Sequence, residues 1–121
     1  MDLVGDVTGR VGLERERVET ALGSLLLVMR MGTDAHTWDL FKTAVPDASR
    51  LLALGTVRVG GRSGEIMGLT RPGAVRRSLE TAAFSADEVG DVAQALRDAV
   101  QDRLEGDPAA RLLLALDRAL S

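Results

Sequence analysis

The sequence predicts an all-α protein, a compact bundle of about six to seven short and medium helices around a Gly-rich central loop or small hairpin. Three observations carry this reading. Apolar residues recur at i, i+3 and i+4 over most of the chain. Residues that start and stop helices stand where those stretches begin and end. The stretch that breaks the period, 56–73, is rich in glycine: Gly60, Gly61, Gly64, Gly68 and Gly73.

Taken in order, Leu3, Val4, Val7 and Val11 share one face of a short first helix that Gly12 ends. Val18, Ala21, Leu22, Leu25, Leu26 and Met29 form the stripe of a second helix, Glu14 to Met31, stopped by Gly32. Thr33 or Asp34 caps a third helix that carries Trp38 and Phe41 and ends before Pro46. Asp47 reads as the N-cap of a fourth, Ala48 to Leu54, closed by Gly55. Thr56-Val57-Arg58-Val59 alternates like a strand that Gly60-Gly61 could turn, but a lone hairpin is marginal in water, so a loop is expected. The helical period resumes at Ala74 with Val75, Leu79 and Ala82, and breaks near Phe84. Ser85 and Glu88 have the spacing of a capping box, which opens a long helix ended by Gly106. Asp107-Pro108 reads as N-cap and N1 of a last helix reaching about Leu120.

With 121 residues, 45% hydrophobic and 27% charged, the chain is expected to form one globular domain, 1–121, with helices in 1–55 and 74–121 flanking the loop. The absence of cysteine removes disulfides, thiol nucleophiles and Cys-ligated metals. A single histidine, His36, cannot supply a two-histidine metal site. No cofactor is expected. Leu25 to Met29 is the longest strongly apolar run, against the roughly 20 residues that span a bilayer. The N-terminus has an acid at Asp2 and no basic, then apolar, signal pattern, so the expected location is cytoplasmic. Fourteen of the fifteen basic residues are arginine, which reads as the codon bias of a GC-rich bacterial genome.

Charge is unevenly spread. Residues 58–77 hold five arginines (Arg58, Arg62, Arg71, Arg76 and Arg77) against Glu65. Asp87, Asp91, Asp98 and Asp102 lie on one face of the long helix, opposite its apolar stripe. The five arginines are candidates for anion or partner contact. Nucleic acid is the disfavoured ligand, because the net charge is −3 and no aromatic interleaves the arginines for base stacking. Docking of the basic segment on the acidic helix, of its own chain or a neighbour's, is preferred. Gly60-Gly61-Arg62-Ser63-Gly64 lacks the lysine and spacing of a phosphate-cradling loop.

Two further possibilities concern apolar residues. Leu112, Leu114 and Leu116, with Leu113 and Leu120, spread too widely round the last helix for one face, so Leu112, Leu114 and Leu116 are candidate contacts in a homo-oligomer. Met29, Trp38 and Phe41 could line an apolar pocket for a small ligand. The leading expectation is a non-enzymatic helical interaction or oligomerisation protein. A nucleic-acid-binding protein and a small-ligand carrier or enzyme are the alternatives.

Gly12-Leu13, the run Val18-Glu19-Thr20-Ala21-Leu22-Gly23-Ser24-Leu25-Leu26, Val45-Pro46-Asp47, Leu51-Leu52, the glycine-rich middle and the closing pair of helices appear in an order that resembles the bacterial VcgC/VcgE family of small helical proteins. Asp47 stands where that family usually has glycine. The resemblance implies an all-helical fold and carries over no activity.

Overall fold

The computed structural model describes residues 2–58, 68, 71 and 73–121. Its described elements are seven helices: α1 (Leu3–Val11), α2 (Arg15–Met31), α3 (Ala35–Ala44), α4 (Ala48–Arg58), α5 (Ala74–Thr81), α6 (Ala86–Arg103) and α7 (Gly106–Leu120). No strand occurs among the described residues. The chain is all-α, as the apolar periodicity predicts.

The central element is α2. Every residue from Ala21 to Met29 is buried, so this helix is covered on all sides, and α1, α4, α5, α6 and α7 each pack against it. That explains why its sequence is apolar around the whole circumference from Leu25 to Met29, where a surface helix would show a stripe. Trp38 and Phe41 of α3 are buried with ring centroids 5.2 Å apart, an aromatic pair set into a core of leucine, valine and alanine. Met29 is fully buried as well. All three residues lie in the core, and none of them borders the surface grooves described below.

Three boundaries differ from the sequence reading. The fourth helix does not close at Gly55 but runs on to Arg58, so Thr56, Val57 and Arg58 are helical where a loop or small hairpin was expected. Val59, Gly60 and Gly61 lie outside the described residues. Gly55 faces Gly23 of α2: a Cβ on Gly55 would stand 2.2 Å from the Gly23 carbonyl oxygen, and one on Gly23 would stand 2.9 Å from both Gly55 N and Leu51 O. The two backbones touch with no side chain between them, so glycine serves close approach there and does not stop the helix.

Asp47 gives its carbonyl to α4, accepting from Leu51 N at 3.1 Å, but its side chain is committed elsewhere. The Asp47 carboxylate accepts from Leu3 N (3.2 Å) and Val4 N (3.3 Å), while Asp2 accepts from Gly5 N at 2.7 Å. Two acids thus satisfy the orphan amides at the start of α1. The expected N-cap of α4 is a long-range cap of α1.

At the far end, α6 stops at Arg103 and Gly106 belongs to the first turn of α7, so Glu105, not Asp107, takes the N-cap position. Pro108 still falls among the first helical residues, whose N–H groups have no intrahelical acceptor.

The turn between α5 and α6 is a Schellman closure. Phe84 N donates to Leu79 O and Ala83 N to Glu80 O, both at 3.0 Å, and Ala83 adopts φ +70°. Phe84 and Leu79 are both buried, in the pattern that accompanies this motif. Arg17 of α2 fastens the turn: its guanidinium stacks 4.4 Å from the Phe84 ring centroid and donates to Ala83 O (3.1 Å) and Glu88 Oε1 (3.2 Å). The predicted capping box follows at once. Glu88 N donates to Ser85 Oγ (3.1 Å) and Ser85 N to Glu88 Oε1 (2.9 Å).

Candidate functional site

The basic segment meets the described structure at four of its five arginines. Arg58, at the end of α4, is half-buried and its Nη2 donates to Ser78 Oγ (2.9 Å) and Ser78 O (3.3 Å) on α5. Its Nε is buried without a hydrogen-bond partner. Burial holds the Arg58 pKa below the ordinary arginine value. Arg71 precedes α5, and Arg76 and Arg77 lie on it, Arg77 exposed. Arg62 lies outside the described residues.

None of Arg71, Arg76 and Arg77 makes an ion pair or side-chain hydrogen bond among the described residues. Elsewhere among the described residues Arg10, Arg15, Arg17, Arg50, Arg97, Arg103 and Arg111, with Lys42, are held by carboxylates, while Arg30 and Arg118 make no ion pair.

The acidic face of α6 is where the sequence places it, but the basic segment of the same chain is not its partner among the described residues. Arg10 of α1 reaches it instead, 2.8 Å from Asp102 and 3.5 Å from Asp98. Arg10 also pairs with Asp6 (2.8 Å), which Arg103 approaches at 2.9 Å from α6. This network ties α1 to α6. It also holds the Asp6 carboxyl below its ordinary pKa, through the Arg10 hydrogen bond first. Asp87 and Asp91, nearer the start of α6, are exposed and make no ion pair among the described residues. A shallow groove of about 320 Å³ runs beside Asp91, lined by Val11, Gln94 and Ala95 and by the Arg10–Asp98 pair.

The three leucines proposed as oligomer contacts separate. Leu112 and Leu116 are fully buried within the single chain and belong to its core. Leu114 is 49% exposed. It borders a second groove, about 240 Å³, formed with Gly32, Asp34, Arg111 and Arg118. Asp34 caps α3 and has its pKa lowered to about 2, chiefly because it accepts from Thr37 N, then from the Thr37 hydroxyl, with Arg111 3.0 Å away.

Sequence reasoning missed a second apolar surface. Leu54 is 43% exposed and Val57 76% exposed, three residues apart on α4, whose buried residues are Ala48, Leu51 and Gly55. Continuing the helical period past Gly55 would have found it. Reading Gly55 as a stop hid Val57 in a supposed loop or hairpin.

His36 is exposed in the first turn of α3. Among the described residues no three metal-ligating side chains come together, and no helix is long and apolar enough to cross a membrane. Comparison of the chain with family models, curated proteins and solved structures returned no match.

Proposed function

We propose that this chain is a non-enzymatic helical interaction protein that assembles with copies of itself through the outer face of α7. One observation carries the reading: Leu114 stands half-exposed between Leu112 and Leu116, which are fully buried. The core already holds its leucines, and this one is left over on the opposite side of the helix. Covering a leucine is worth about 1.5–3 kcal/mol, so a contact that buries Leu114 on both copies gains from each. The resemblance to the VcgC/VcgE family supports the helical architecture of this reading and adds no activity to it.

Solution mass by light scattering tests it. The parent is expected to exceed the monomer mass at tens of micromolar, and Leu114→Glu to be folded and lighter, because a carboxylate is costly there only when a partner covers it. Leu112→Glu serves as the contrast and should unfold the chain. A parent that is monomeric at that concentration overturns the proposal.

A second reading has its own observation. Arg71, Arg76 and Arg77, which make no ion pair among the described residues, offer guanidinium groups of the kind that bind nucleic-acid phosphates. Binding to a short duplex that weakens steeply with salt would favour it over self-assembly.

A further inference from the structure

We infer that the arginine surface of α5 docks on the acidic face of α6 in a second copy of this chain, giving a head-to-tail contact separate from Leu114. The inference shares its occupant, a second copy, with the self-assembly reading, but it uses different surfaces and stands or falls separately.

Outside residues 58–77, most arginines of this molecule are neutralised by carboxylates of a neighbouring helix or turn. Arg76 and Arg77 are not, although they stand on a helix whose remaining acid is Glu80. Among the described residues Asp87 and Asp91 likewise make no ion pair, on a helix whose further acids Asp98 and Asp102 are held by Arg10. Unpaired charge of opposite sign thus occurs on α5 and near the start of α6, and the two sets do not pair with each other within the chain. Contact between copies joins them.

Apolar surface accompanies both charges. Arg58 bonds to Ser78, which ties the end of α4, where Val57 is exposed, to the helix that carries Arg76 and Arg77. The groove beside Asp91 has Val11 and Ala95 as its apolar residues, and its other acid, Asp98, is held by Arg10. The acceptor is therefore acidic with apolar residues, and the donor is basic with an apolar neighbour. Charge complementarity selects the partner and its orientation, and apolar burial adds affinity. Each copy carries one surface of each kind, so the contact is heterologous and propagates into a ring or a filament. A polyanion fits less well, because the whole chain carries −3 and the α6 face repels it.

A charge-swap experiment on the full chain tests this. Arg76→Glu with Arg77→Glu makes the donor acidic; Asp87→Arg with Asp91→Arg makes the acceptor basic. Each variant alone should self-associate at least about tenfold more weakly than the parent at low salt. Mixing the two in equal amounts should restore association, because each swapped surface then meets its complement. Circular dichroism checks folding, and Asp91→Arg alone replaces the double variant if that one is unfolded. Restoration on mixing establishes the contact.

Failure of the mixture to associate overturns the inference, as does parent association insensitive to both salt and swaps. Loss of association in Leu114→Glu with both swapped variants behaving as the parent retains the α7 reading and removes this one. The reverse pattern retains this one. Salt-sensitive duplex binding lost in Arg76→Glu/Arg77→Glu, with no change in self-association, also overturns it.

Discussion

At the scale of single residues, the same substitution should act with opposite sign at two glycines. Gly55→Ala puts a Cβ 2.2 Å from a backbone oxygen of α2, and backbone cannot swing aside as a side chain can. The helices must separate, at a cost of about 1–3 kcal/mol or more for overpacking of this kind. Gly90→Ala meets nothing within 4 Å on exposed α6 and should stabilise by about 0.5–1 kcal/mol, the helix-propensity gain of alanine over glycine. Urea midpoints of the two variants check the pair. Ala83 offers the inverse case. It holds φ +70° at the closing position of the Schellman turn, where a Cβ is strained. Ala83→Gly should relieve that strain and raise stability by about 0.5–1 kcal/mol, even after the entropy that glycine adds to the unfolded chain.

At the scale of elements, helix ends make the sharpest predictions. Ser85→Ala removes the acceptor for Glu88 N and should cost about 1 kcal/mol. Its partner Glu88 also holds Arg17, so Glu88→Ala should loosen the α5–α6 turn on α2 as well as the cap, and the two substitutions should not add. The cap of α3 is sensitive to acid. Asp34 titrates at about 2 in the folded chain against 3.8 as its ordinary value, so its contribution is complete above 3.8 and is lost as pH falls towards 2. Asp34→Asn keeps an acceptor for Thr37 N but has no charge to lose. The fall in stability between neutral pH and about pH 2 should therefore be shallower in the variant than in the parent, followed by denaturant midpoints. These ends also show what a sequence displays. Ser85 and Glu88 are three residues apart, so their box is local and legible. Asp47 binds amides more than forty residues away, so nothing near it in sequence reveals that it caps α1. Gly55 resembled a stop because glycine serves both stops and close contacts, and only its neighbour Gly23 on another helix tells them apart. The arginine block and the acidic face were visible as local charge runs. Which of those charges lack partners is set by the fold, through Arg10 reaching α6 from the other end of the chain.

At the scale of the whole molecule, the arrangement around α2 determines how the chain should unfold. Five of the other helices pack on α2, and its residues from Ala21 to Met29 are buried by them together. No one of those helices can leave without exposing apolar surface of α2, and α2 cannot leave without exposing the rest. Burial of that kind makes loss of one element favour loss of the next, which is the physical basis of all-or-none unfolding in small domains. The helix to test is α3, because its contacts run to α7 and α4 and it carries Trp38, the single tryptophan. Trp38 fluorescence reports α3 alone, whereas far-ultraviolet circular dichroism reports every helix. In urea the two signals should follow one transition with one midpoint and one slope, because Trp38 and Phe41 are buried in the same cluster as the leucines of α2. A fluorescence midpoint clearly below the dichroism midpoint would mean that α3 unfolds as a separate unit and that the core is less continuous than its burial indicates. Repeating the scan with Gly55→Ala sharpens the test: a defect between α2 and α4 should lower both midpoints equally if the bundle is one cooperative unit.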